Sequence, residues 1–258
     1  MRRVRVIPVL LMDKGRLVKT TKFKKPRYIG DPINTIRIFN DKEVDEIVLL
    51  DISASREGRP PDIEKIREIA SECFMPLAYG GGISSAEQMD QLVKTGVEKL
   101  IFNTALKTDP ELIREGARVY GSQSIVVSLD VRKHWFSRHQ CRVKSDSSSL
   151  GLSLEQACRR IVELGAGEII LNNISREGTL SGFDIPLLNT VASSVAVPVV
   201  ALGGARNLDD IFECVEQGHA SAAAAGAMFV FKGTHQAVLV SYPDQLSLQQ
   251  QVYSRLTG

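Results

Sequence analysis

Short apolar runs and longer amphipathic stretches alternate along the whole chain. Val4–Leu11, Glu46–Leu50, Met75–Tyr79, Lys99–Phe102, Ser124–Leu129, Glu168–Leu171, Val197–Ala201 and Ala222–Ala225 predict strands. Ile63–Cys73, Ala86–Thr95, Leu112–Tyr120, Ser153–Leu164 and Leu208–Gln217 carry the three-and-four spacing of helices. Ser153 heads one of them with Glu155 and Gln156 close behind, a helix-start signature. Strands that are apolar nearly throughout, separated by helices, imply a parallel sheet covered on both faces. Eight such units fit a closed (β/α)8 TIM barrel, although pattern alone leaves an open sheet as the alternative.

An internal repeat favours the barrel. DEIVLLDISASREG, from Asp45, is echoed by GEIILNNISREG, from Gly167, and MPLAYGGGISSAEQ, from Met75, by VPVVALGGARNLDD, from Val197. The same separation of 122 residues relates Glu46 to Glu168 and Gly81 to Gly203. Self-similarity at half the chain length points to two similar half-barrels. No linker rich in Pro, Gly or Ser divides them, so residues 1–258 are expected to form one domain. The polar segment Trp135–Gly151 reads as a loop after the fifth strand, on the catalytic side.

Length agrees, since 258 residues is close to one barrel's worth. A net charge of +2 gives no global reason to expect nucleic acid or membrane as a partner. The opening MRRVRVIPVLLMDKG imitates a signal peptide, but its apolar run is short and lacks a small-residue cleavage site. It reads as a buried first strand, and a cytoplasmic location is expected. The cysteines Cys73, Cys141, Cys158 and Cys214 lack metal or redox spacing. The histidines His134, His139, His219 and His235 lack ligand spacing. No metal and no cofactor are expected.

Barrel chemistry sits at the C-terminal strand ends. Gly80, Gly81 and Gly82 follow the third strand there, and Gly203 and Gly204 the seventh. Glycines let backbone N–H groups approach an anion. Asn103 and Thr104 after the fourth strand, and Ala225 and Gly226 after the eighth, add donors. Two such sites related by the repeat predict a ligand with phosphate at both ends, against the plainer reading of tight turns. Asp130 ends the fifth strand and Asp51 the second. Each is a candidate for proton transfer or, more plainly, for bonding its own loop. The basic run Lys14–Arg27 is either a solvated loop or a lid over an anionic ligand.

GDPINTIRIFN, DEIVLLDISAS, YGGGI, NTAL, GSQSIVVSLD, GAGEI and ALGGA together resemble the HisF-type cyclase subunit of imidazole glycerol phosphate synthase, through nearly the whole chain. The resemblance implies a HisH-like glutaminase partner at the N-terminal barrel face, ammonia passing through the barrel, and a bisphosphorylated substrate at the C-terminal face. It assigns phosphate contacts to Gly82, Asn103, Thr104, Gly204, Ala225 and Gly226, and an ammonia gate to Arg5, Glu46, Lys99 and Glu168. Asp130 matches one of the family's two catalytic aspartates. The other position aligns with Leu11, which moves no proton, and Asp13 lies two residues on. In the sixth-strand region a threonine becomes Asn172, and an acidic pair becomes Ser175 and Glu177. An intact gate with an altered substrate end is similar to a branch of the family in surface-polysaccharide synthesis. There the ammonia goes to a separate amidotransferase that turns an acetamido sugar into an acetamidino sugar. A true histidine-pathway cyclase, or a non-catalytic scaffold that activates a glutaminase, are the alternatives.

Overall fold

In a computed structural model describing residues 3–133, 139–143 and 148–256, eight parallel strands close into a barrel. They are β1 (Arg5–Asp13), β2 (Ile47–Asp51), β3 (Leu77–Gly80), β4 (Lys99–Phe102), β5 (Ile125–Lys133), β6 (Glu168–Asn173), β7 (Val199–Leu202) and β8 (Ala222–Ala225). Closure is made by β1 against β8, from Arg5 opposite Ala222 to Pro8 opposite Ala225. The fold is therefore the (β/α)8 barrel that the alternation and the repeat imply.

Side-chain alternation along β1 explains two cores. Ile7, Val9 and Leu11 point into the barrel and pack with Val48, Ala78, Ile101, Val126, Ile170 and Val200. Val6, Leu10 and Met12 point outward into the larger core beneath the helices. A strand of period two buried on both faces shows no polar side, which is why it reads as continuous apolar sequence.

The helices are α1 (Pro32–Asp41), α2 (Ile63–Ser71), α3 (Ala86–Lys94), α4 (Pro110–Tyr120), α5 (Leu154–Glu163), α6 (Ile185–Ala192), α7 (Leu208–Glu216) and α8 (Gln245–Gln251). Ser153 and Gln156 form a reciprocal capping box at the start of α5. Three helices escape the sequence pattern. In α1 a polar residue, Thr35, occupies a core position and bonds the Asp31 carbonyl. Apolar residues nearly surround α6, hiding its period. Only Leu248 of α8 is buried.

Two of the loop readings need correction. Residues 135–151 are not simply a loop: β5 runs on to Lys133 and pairs antiparallel with His139–Val143, which pairs in turn with Ser148–Ser149. Residues 134–138, His134 among them, and 144–147 lie outside the described set. The basic run is likewise a hairpin, Arg16–Thr21 against Lys24–Gly30, built onto the end of β1. No helix among the described residues is long and apolar enough to cross a membrane.

Candidate functional site

At the N-terminal end of the barrel, alternation turns Arg5, Glu46, Lys99 and Glu168 inward beneath the apolar interior. Arg5 bonds Glu46 at 2.5 Å and also Glu168. Lys99 bonds Glu46 at 2.8 Å and Glu168 at 3.0 Å. Every acid thus touches both bases, and the ring sums to zero charge. Burial pushes the Glu168 carboxyl up, but its bonds to Arg5 and Lys99 outweigh this and hold it below the usual carboxylate range. Burial likewise opposes the Arg5 charge, and the two glutamates overcome it. The four groups expected to form a gate are brought together.

At the C-terminal end lies a cavity of about 210 Å³. Gly81, Gly82, Asn103, Thr104, Gly203, Gly204, Ala225 and Gly226 all line it, with Asp51, Asp130, Asn172 and Glu177. The two glycine sites are therefore at the same end. Gly82 (φ 73°) and Gly204 (φ 115°) both adopt the left-handed region, and a Cβ would lie 2.4 Å from the Arg59 carbonyl oxygen and 2.1 Å from the Gly182 carbonyl oxygen respectively. Close backbone packing thus requires glycine at both, whatever ligand they meet. Short helical turns begin beyond Thr104 and Gly226 without a side-chain cap, leaving backbone N–H donors beside the cavity.

The carboxylates differ in what holds them. Asp130 is buried, and its two oxygens accept from Asn103 Nδ2 at 3.0 Å and Asn172 Nδ2 at 2.9 Å. Asp51 Oδ1 accepts from Ser53 N, Ser53 Oγ and Ala54 N, all within 3.0 Å, so this oxygen organises the turn after β2. Leu11 lines the cavity from β1, four strands around from Asp130. Asp13 does not line it: β1 continues beyond the barrel wall into the hairpin, where Asp13 pairs with Arg16. Ser175 lies outside the lining too, accepting from Lys133 N at 3.1 Å.

One lysine of the basic run points inward. Lys19 is buried and bonds Glu177, whose carboxylate also accepts from Thr20 Oγ1 and Phe23 N at 3.1 Å each. This ties the hairpin to the loop after β6. Burial pushes the Lys19 ammonium down to about 7. Its stem packs where a Gly226 Cβ would stand, with Cε at 2.9 Å. Lys19 and the lining residue Leu202 were not singled out from sequence. Lys19 sits among six other basic residues in that run, and Leu17–Thr20 are all buried, so no alternation marks it. Among the described residues no cluster of three His, Cys, Asp or Glu could hold a metal. Burial pushes the Cys141 thiol up to about 12, an unreactive state.

A closed eight-stranded barrel with a charge-neutral ring across one end, and two glycine-lined turns around one cavity at the other, is a (β/α)8 barrel with its candidate site at the C-terminal strand ends. The chain belongs to the histidine biosynthesis protein family, whose model matches residues 5–235, and within it to the HisF type. It is 50% identical over 242 residues to a Pseudomonas aeruginosa protein provisionally described as imidazole glycerol phosphate synthase subunit hisF2, covering 94% of this chain and 96% of that one. A Vibrio vulnificus protein provisionally described as subunit hisF3 is 47% identical, covering 95% and 94%. A Bacillus cereus imidazole glycerol phosphate synthase subunit HisF is 40% identical, covering 87% and 89%.

Proposed function

We propose that this chain is the barrel subunit of a glutamine amidotransferase system that serves an acceptor other than the histidine-pathway bisphosphate. A glutaminase docks on the N-terminal face, and ammonia crosses the barrel past Arg5, Glu46, Lys99 and Glu168. It emerges at the cavity around Asp130. The acceptor is a nucleotide-linked acetamido sugar, amidinated by a separate amidotransferase during surface-polysaccharide (O-antigen) synthesis. The observation that carries this reading is a complete four-charge ring at one end combined with Leu11 facing the cavity opposite Asp130 at the other. A cyclisation that needs acid and base on opposite sides of its substrate lacks one of them here. The greater identity to the hisF2 and hisF3 proteins than to the Bacillus cereus subunit supports the same direction.

Free ammonium at high pH bypasses any partner and tests the mouth alone. Given the histidine-pathway bisphosphate intermediate, the protein should turn over more than a hundredfold more slowly than an ordinary enzyme rate of about 1 s⁻¹. The same protein should bind a HisH-type glutaminase and raise its glutamine hydrolysis. Cyclisation near 1 s⁻¹ overturns the choice of acceptor; failure to bind the glutaminase overturns the ammonia role. The retained Asp130 and both glycine cradles favour the second reading, a histidine-pathway cyclase, which the same assay decides.

A further inference from the structure

Two hairpins stand on the C-terminal end of the barrel and border the cavity mouth. One, Arg16–Thr21 against Lys24–Gly30, follows β1 and lends Lys19, Thr20 and Phe23 to the cavity lining. The other, Phe231–Lys232 against Ala237–Val238, follows β8 and the lining residues Ala225, Gly226 and Ala227. Because β1 closes against β8, the two are neighbours, and Arg27 clasps them together. Its guanidinium donates to the Gln236 carbonyl at 2.8 Å and lies over the Phe231 ring, 5.2 Å from the centre. The hairpins therefore form one continuous stretch of rim.

This rim concentrates positive charge. Segments 14–30 and 231–238 hold eight lysines and arginines and no acid, in a chain whose net charge is +2. Lys19 is matched by Glu177, and Lys14 by Glu57 at 3.7 Å. Arg16, Lys22, Lys24, Lys25, Arg27 and Lys232 have no ion pair among the described residues. Amid these cations two large apolar side chains face solvent: Tyr28, 59% exposed, and Leu239, 55% exposed, just beyond the second hairpin. Tyr28 stands opposite Val18, whose side chain belongs to the barrel interior, so it projects from the mouth side of its hairpin. Lys24–Gly30 also has no strand on its outer edge among the described residues. A bare edge invites a partner, but Lys24, Lys25 and Pro26 set like charge and a missing N–H against pairing with a second copy. Such a surface suits an acidic protein and repels its own kind.

We propose that this rim docks an acidic face of the amidotransferase that consumes the ammonia, with Tyr28 and Leu239 as apolar anchors among the lysines and arginines. This rests on the ammonia reading above. Ammonia released from the mouth into open water takes up a proton and ceases to be a nucleophile, so the enzyme that uses it has to cover the opening. Docking on the two hairpins sets that enzyme beside the cavity. The unpaired cations steer the encounter, and the two exposed apolar side chains lose water on contact.

The test is reconstitution of the full chain with a HisH-type glutaminase and the amidotransferase of a nucleotide-linked acetamido sugar, glutamine being the nitrogen source. Glutamate dehydrogenase with α-ketoglutarate and NADH is then added to consume any ammonia that escapes. The unaltered complex should keep most of its amidino-sugar output. Tyr28→Asp with Leu239→Asp should weaken calorimetric affinity for the amidotransferase, and cut the trapped output, each by at least about tenfold. Stimulation of the glutaminase, which the reading above places at the other end, should be unchanged. Lys24→Glu with Lys232→Glu, one charge on each hairpin, should weaken the complex in the same way; it carries the test if the apolar pair fails to fold by circular dichroism. Three results overturn the proposal: output from the unaltered complex that the trap abolishes, affinity that survives both pairs of substitutions, or binding to phosphatidylglycerol vesicles in place of the amidotransferase. If glutamine yields no amidino sugar even without the trap, the ammonia reading itself fails, and this proposal with it.

Discussion

Replacing Lys99 by methionine removes one of two cations from a ring that otherwise balances. Lys99 Nζ stands 2.8 Å and 3.0 Å from Glu46 and Glu168, whose side chains are only 5% and 8% exposed. At an effective dielectric of about 20, each such contact is worth roughly 6 kcal/mol before desolvation. Much of that offsets the cost of burying the ions, and breaking a buried pair by removing one partner typically costs about 3–5 kcal/mol. Lys99→Met should destabilise by that amount at pH 7 in urea unfolding. The pH dependence has a definite sign. Glu168, held below its ordinary value, contributes stability above the unfolded value near 4.5 and loses it as the pH falls through the folded value. Without Lys99 the Glu168 carboxyl is held down less, so the variant's deficit is full at pH 7 and shrinks as the pH falls towards the unfolded value. Lys99→Met with Glu168→Gln restores neutrality, and the pair should cost less than the sum of the singles by more than about 1 kcal/mol. Additive effects, with Lys99→Met costing less than about 1 kcal/mol, would mean that solvent screens the ring as it does surface pairs, and the closed-ring account would fail.

Two further substitutions probe the mouth. Leu11→Asp buries a carboxylate among Val9, Leu50 and Leu202, raising its pKa; the penalty, about 2–4 kcal/mol, should be full at pH 8 and fade as the pH drops towards the unfolded value near 3.9, and melting curves with equal losses at pH 8 and pH 5 would contradict the apolar wall. Glu177→Ala leaves the buried Lys19 ammonium only the Thr20 carbonyl as acceptor, so trypsin should cut the 14–30 hairpin faster; because burial already holds the folded Lys19 well below its unfolded value near 10.5, and losing Glu177 lowers it further, the stability cost should be full at low pH and shrink as the pH rises towards 10, and unchanged cleavage would show that Glu177 does not hold the hairpin.

Alternation, spacing and the half-length repeat were sufficient to read the barrel from the sequence. The strands Lys99–Phe102 and Ala222–Ala225 fall where the apolar runs do, because each run is bounded by residues a buried strand excludes. The repeat also set Gly81 and Gly82 equivalent to Gly203 and Gly204, and equivalent positions in two half-barrels must share an end. Tertiary structure alone decided the rest. Two-residue parity gives the side a residue faces only while its strand stays in the barrel wall, so it could not foresee that Asp13 leaves with the hairpin. The sequence shows Lys19 as one of seven cations; its inward turn depends on Glu177, 158 residues away. Asp51 and Asp130 look alike at their strand ends. Ser53 and Ala54 draw one oxygen of Asp51 into a turn, whereas Asn103 and Asn172, from neighbouring strands, hold both oxygens of Asp130 at the cavity. Partners so distant in the chain meet only through closure of the sheet, and local pattern carries no record of that.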